Sequence, residues 1–136
     1  MKIKEMVYKP ERNIELLYNN IYKGYHYYIL SLGTHPTAYV ELPKKHKFYN
    51  KSYWKIEEES NILVHGGLTY SDNGLQIGNN TTLENSWFIG WDYAHCVDYY
   101  CFPDDFYNDK DHKKWTTEEI KKDCENVIDQ LEKEDS

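Results

Sequence analysis

The sequence has a single arginine, Arg12, three cysteines with no CxxC pair, and no apolar run near the roughly 18 residues of a membrane-spanning helix. Each shortage excludes something. Without an apolar span, no membrane partner is expected. The first residues, Met1-Lys2-Ile3-Lys4-Glu5, lack the apolar stretch of a secretory signal, which predicts a cytoplasmic protein. Cys96, Cys101 and Cys124 are odd in number, which argues against a disulfide framework and a zinc ribbon and for reduced thiols. One arginine is too few for the basic face that duplex nucleic acid demands, so no duplex partner is expected.

Charge is unevenly distributed. Of the formal charge of −7, residues 104–136 hold 12 acidic residues against 6 lysines, whereas residues 1–103 hold 11 acidic residues against 10 basic ones. The body is therefore nearly neutral and does not repel a small anion held by a few placed groups. The one basic cluster, Lys44, Lys45, His46, Lys47, Lys51 and Lys55, reads as a solvated helix or loop face.

Aromatic side chains are abundant. Fourteen tyrosines, four tryptophans and four phenylalanines make up 16% of a chain that is 40% apolar. With 136 residues, the chain is the size of one domain, 1–136, able to bury a core.

The clearest local element comes last. Thr116 and Glu119 have capping-box spacing. Ile120, Cys124, Val127, Ile128 and Leu131 then form one helical stripe, predicting an amphipathic helix from Thr117 to about Glu132. Strands are predicted at Ile14–Tyr18 and Tyr22–Leu32, joined as a hairpin through Asn19-Asn20 or Lys23-Gly24. Further strands are predicted at Thr37–Leu42, Ile62–His65 (resuming at Leu68–Tyr70) and Trp87–Asp92. The last is the most apolar and so is placed inside the sheet. Lys44–Glu59 reads as partly helical and Ser71–Ser86 as a loop. The expected fold is α+β: a curved, mainly antiparallel sheet of about five strands with the C-terminal helix on one face.

Three segments stand out chemically. Gly33-Thr34-His35-Pro36-Thr37 holds a histidine in a strand-end turn. Val64-His65-Gly66-Gly67 follows a histidine with two glycines, which suggests a close approach by another group that side chains would block. Trp91-Asp92-Tyr93-Ala94-His95-Cys96-Val97-Asp98 follows the apolar strand directly, after Gly90, whose missing side chain leaves room for a ligand or another backbone. Three readings follow. Asp92, His95 and Asp98, with His35 and His65, contain enough ligand types for a metal, but no ligand motif organises them, so no metal or cofactor is expected. His65 or His95 with Asp92 or Asp98 could serve acid–base catalysis on a phosphodiester or glycosidic bond, although no hydrolase motif supports it. The lead reading is binding without turnover, in which aromatic rings stack on a base and His, Thr and glycine-freed backbone groups hold phosphate or ribose. The residues placed in that site are His35, Thr37, Tyr39, His65, Gly66, Gly67, Tyr70, Trp87, Trp91, Asp92, Tyr93 and His95. Asp92 and His95 are expected to be neighbours, close to His65.

The strings Tyr-Tyr-Ile-Leu-Ser-Leu-Gly-Thr-His-Pro-Thr-Ala-Tyr-Val-Glu (27–41), His-Gly-Gly-Leu-Thr-Tyr (65–70), Trp-Phe-Ile-Gly-Trp-Asp-Tyr-Ala-His (87–95) and Lys-Trp-Thr-Thr-Glu-Glu-Ile (114–120) resemble a family of small phage and prophage proteins of low-GC Gram-positive bacteria. The family carries no established activity, so the resemblance assigns no residue a role. It implies a context in which small accessory proteins antagonise host defence. The expected function is sequestration of a small anionic, nucleotide-derived immune signal in the host cytoplasm. The alternatives are a small hydrolase acting on such a nucleotide, with His65, His95 and Asp92 as its catalytic groups, and an inhibitor of a host defence protein. Self-association is left open.

Overall fold

A computed structural model describes residues 2–102 and 111–135; the rest of the acidic C-terminal segment lies outside the described residues. The chain forms strands β1 (Glu15–Tyr22), β2 (Tyr25–Ser31) and β3 (Pro36–Leu42), helix α1 (Tyr53–Glu59), strands β4 (Tyr70–Asp72), β5 (Leu75–Gly78), β6 (Thr81–Leu83) and β7 (Trp87–Asp92), and helix α2 (Thr117–Glu134). Five strands make one antiparallel sheet in the order β1-β2-β3-β7-β4, and β5-β6 make a second, two-stranded sheet. The fold is α+β.

Local chemistry explains the hairpins. Lys23 and Gly24 both have positive φ, 51° and 84°, the mirror-image turn whose twist matches the strands it joins, and Tyr22 pairs with Tyr25 across it. At the β2–β3 turn, Gly33 has φ 89°, and its Cα lies so close to the Glu11 carbonyl that any Cβ would overlap it. The N-terminal arm thereby docks on this turn, with Asn13 N donating to Leu32 O at 3.0 Å and Lys9 N to Gly33 O at 2.8 Å.

Both faces of the sheet are covered, so β2, β3 and β7 are buried along nearly their whole lengths. On one face Tyr27, Ile29, Ala38, Val40, Ile89 and Trp91 pack against the α2 stripe Ile120, Cys124, Val127, Ile128 and Leu131, whose side chains are fully buried. Burial of each large aliphatic in that stripe contributes about 1.5–3 kcal/mol. The other face, with Tyr28, Leu30, Tyr39 and Phe88, packs against Ile14 and against Leu75 of the small sheet. The helix begins as its sequence predicts: Thr116 Oγ1 accepts from Glu119 N, and the Glu119 carboxylate accepts from Thr116 N. No helix among the described residues is long and apolar enough to cross a membrane. All three cysteines are free.

Three expectations need correction. Ile62–His65 is not a strand. The Gln130 carboxamide takes the place of a strand partner, accepting from Leu63 N at 2.7 Å and donating to Leu63 O at 2.8 Å, while the Glu57 carboxylate accepts from Leu68 N at 2.9 Å. Ser71–Ser86 is not a loop throughout: β5 and β6 pair there around Asn79-Asn80, with Leu75, Ile77 and Leu83 against the second core. Their shortness and polar neighbours hid a two-residue hairpin.

The basic cluster is solvated at its exposed lysines but not at its histidine. His46 is 4% exposed, its Nδ1 accepting from Phe48 N and its Nε2 donating to the α2 carbonyl of Leu131, both at 3.0 Å. His46→Ala strands the buried Phe48 N–H and takes one of two donors from the Leu131 carbonyl, which Asp135 N still serves, and is expected to cost about 1–3 kcal/mol. Urea unfolding would show this as a lower midpoint at unchanged slope. A midpoint within error of the parent would mean that these two bonds contribute nothing net.

Candidate functional site

The site forms where β3 begins and β7 ends. Thr37 faces Asp92 in the ladder, and the last rung is Tyr93 N donating to Pro36 O at 3.1 Å. The chain then turns sharply. Ala94 N donates to Asp92 Oδ1 at 3.2 Å, and His95 N donates to Asp98 Oδ2 at 3.0 Å while Asp98 N returns to His95 O at 2.9 Å. These short reciprocal bonds set His95 on a fixed turn.

Asp98 is the hub. Its side chain is 1% exposed. Oδ2 accepts from His65 Nε2 at 2.6 Å as well as from His95 N, and Oδ1 accepts from Trp115 Nε1 at 2.8 Å. Burial alone would raise its pKa, but the hydrogen bonds from His65, the His95 amide and Trp115 hold the carboxyl below the usual carboxylate range. His65 is clamped in turn. Its ring stacks on Tyr93, with centroids 4.9 Å apart and planes 8° from parallel, and tilts against Trp115 at 4.7 Å.

The His95 ring meets His65 nearly edge-on at 5.6 Å. Its Nε2 lies 3.2 Å from Asp92 Oδ1. The pair is off line for a hydrogen bond, so this buried nitrogen has no hydrogen-bond partner among the described residues. The ring presses on Gly66 (φ +70°), where any Cβ would overlap Nε2. Asp92 also accepts from Thr69 Oγ1 at 3.2 Å. His35 stacks on Tyr100 at 5.2 Å with its Nδ1 2.9 Å from Thr34 Oγ1, and burial lowers its pKa while Asp92 pulls the other way.

Beside these groups is a cleft of about 370 Å³ whose walls include His95, Cys96, Asp98, Tyr100, Phe102 and His112. That volume falls within the range of small-molecule sites. The described residues contain no cluster of three or more His, Cys, Asp or Glu able to hold a metal.

The structure thus brings His35, His65, Gly66, Asp92, Tyr93 and His95 to one end of the sheet. The other aromatic residues go elsewhere. Trp91 is 1% exposed in the α2-facing core, with Nε1 donating to Tyr93 OH at 2.9 Å, and that hydroxyl donates to Asp123 Oδ2 at 2.6 Å. No face of Trp91 is open to a base. Tyr93 is fully buried, and burial with the Asp123 bond drives its phenol pKa far up. Trp87, half-buried, donates to Lys51 O at 2.8 Å. Tyr39 and Tyr70 meet edge-on at 5.1 Å in the opposite core. Tyr70, which donates to Gly74 O, is pushed up to about 12 by burial. The groups that approach Gly90 are the Tyr39 ring and another stretch of backbone, the Ala38 carbonyl. Thr37 is buried in the ladder, and Gly67 (φ +80°) faces the Glu57 carboxylate. Sequence reasoning missed Tyr100, Phe102, His112 and Trp115; the aromatic-rich string Tyr-Tyr-Cys-Phe (99–102) was a signal for the first two alone.

The two glycines make a paired test. Gly66→Ala adds a methyl group at positive φ and into the His95 ring, and is expected to lose about 1–3 kcal/mol. In Gly67→Ala the new Cβ meets only the flexible end of Glu57, at 3.0 Å, so its loss should come from φ alone. Thermal melts of the two variants check the order; equal losses would mean that His95 yields without cost.

No protein-family model, no curated protein and no solved structure matches this chain.

Proposed function

We propose that this cleft binds and sequesters a small anionic, nucleotide-derived ligand. The supporting observation is His95. Asp92 and Gly66 confine its buried Nε2 edge while the ring, 35% exposed, forms part of a cleft wall shared with His112. Asp98, a carboxylate on the cleft wall, has both oxygens engaged, which reduces its repulsion of an anion. Together with the resemblance to phage and prophage proteins, this supports reading the chain as an accessory protein that withholds an immune signal from its host's defence in the cytoplasm.

Hydrolysis of the same ligand is the second reading, and one observation favours it. Two histidines, His65 and His95, each face an aspartate and lie 5.6 Å apart. A carboxylate that orients an imidazole is the usual support for a general base.

One experiment separates the readings. The protein is incubated with a panel of cyclic and linear nucleotides, freed of excess ligand and heated, and the released material is identified by mass spectrometry. Intact nucleotide supports sequestration, and altered nucleotide supports hydrolysis. Nucleotide that is neither retained by the protein nor altered by the incubation overturns both and favours a protein-blocking role.

A further inference from the structure

We propose that Arg12 holds the anionic group of the ligand, at the corner of the site formed by Thr37, Tyr39 and Asp92. This rests on the binding reading above and supplies the permanent positive charge that histidines alone do not.

The N-terminal arm and the start of β3 build that corner. Gly33 lets the arm lie against the β2–β3 turn, where the Glu11 carbonyl touches it, and Asn13 N donates to Leu32 O at 3.0 Å. Arg12, between Glu11 and Asn13, is thereby fixed at the turn that leads to His35. Thr37 and Tyr39 share the face of the sheet away from α2, and Asp92 joins them there as the ladder partner of Thr37.

Arg12 and Asp92 act on the same two rings in opposite senses. Burial lowers the pKa of His35 and raises that of Tyr39; on both, Asp92 then pulls up and Arg12 pulls down. The guanidinium is therefore within electrostatic reach of both rings. A stabilising role would pair it with Asp92, yet Arg12 is exposed and forms no ion pair among the described residues.

The polar groups beside Asp92 are left over as well. Thr37 Oγ1 and His95 Nε2 are the two buried side-chain polar atoms without a hydrogen-bond partner among the described residues, and both residues adjoin Asp92. Thr37 is 3% exposed, and its hydroxyl lowers the pKa of Tyr39 without meeting hydrogen-bond geometry. Buried polar atoms left unpaired in a native fold are few and costly. Here both flank one carboxylate at the end of the sheet where the chain's one arginine acts. A guanidinium with no carboxylate partner offers two parallel N–H groups, the fork that takes a phosphate in two bonds. One arginine is too few for a duplex and enough for a single phosphate.

The test compares adenosine monophosphate with adenosine by isothermal titration, on the full chain and on Arg12→Ala and Arg12→Lys. A phosphate held by the guanidinium is expected to make the monophosphate bind about 10- to 150-fold tighter than the nucleoside. Arg12→Ala should bring that ratio towards one with adenosine affinity unchanged, and Arg12→Lys should restore part of it, both at the parental melting temperature. An unchanged ratio in Arg12→Ala overturns the assignment and leaves the binding reading standing, because the phosphate then sits elsewhere in the site. A ratio near one in the parent, with adenosine still bound, overturns it too and leaves a site for the nucleoside alone. Binding of neither probe removes the binding reading itself, and the role of Arg12 with it.

Discussion

Asp98→Ala is expected to lose about 3–5 kcal/mol of stability, a large share of the 5–15 kcal/mol that holds a typical domain together. The size follows from what the substitution leaves behind. Three donors lose the one acceptor they have among the described residues, a carboxylate that is 1% exposed: His65 Nε2, Trp115 Nε1 and the His95 amide. Each buried donor left unpaired costs about 1–3 kcal/mol, less whatever relaxation recovers. Asp98→Asn keeps one acceptor and turns a donor towards either Trp115 or His65. Its loss should be smaller, and it keeps the experiment readable if the alanine variant does not fold.

The same carboxylate predicts a pH dependence. Its folded-state pKa lies below the ordinary value, so its contribution is fully present above the unfolded-state pKa, near 4, and is lost as pH falls through the folded value. The parent should therefore lose stability between neutral pH and pH 3 more steeply than Asp98→Asn. Urea midpoints at pH 7 and pH 3 for both proteins measure this. Parallel pH profiles, or an alanine variant within about 1 kcal/mol of the parent, would remove Asp98 as the hub.

Trp91→Ala is expected to lose about 3–5 kcal/mol, by emptying the volume of the largest buried side chain and taking a donor from the Tyr93 hydroxyl. Ligand affinity of the folded fraction should stay at the parental value, because Trp91 lies in the α2-facing core, away from the cleft. A ligand-stacking tryptophan would behave oppositely, with affinity falling by about 1–3 kcal/mol and stability little changed. Nucleotide titrations beside urea unfolding discriminate the two. A stable variant that no longer binds would return Trp91 to the site.

The two tryptophan outcomes could not be separated along the chain. Trp87, Ile89 and Trp91 share one face of β7 by alternation alone, and an apolar run predicts burial without saying what covers it. The cover is α2, whose Asp123 closes the Trp91–Tyr93 chain from 30 residues beyond Tyr93. Where partners are near in sequence, the reading was direct. The Thr116–Glu119 cap, the stripe from Ile120 to Leu131, the Lys23-Gly24 turn and the interior strand Trp87–Asp92 all follow from bonds or periodicities spanning a few residues.

The α+β class, the strands that build most of the main sheet and the helix that covers one face are legible in the residues alone, because backbone preference and hydrophobic period act locally. Tertiary structure decided the rest. Gln130 replaced a strand partner for Leu63, 67 residues away, and the β2–β3 turn placed His35 against Tyr100. The turn after β7 set His95 on Gly66 and gave Asp98 to His65, 33 residues earlier. Those contacts depend on which strands pair and where the chain turns back, since a histidine's partners are set by the three-dimensional course of the backbone and only the residue's own conformational leanings by its neighbours in sequence.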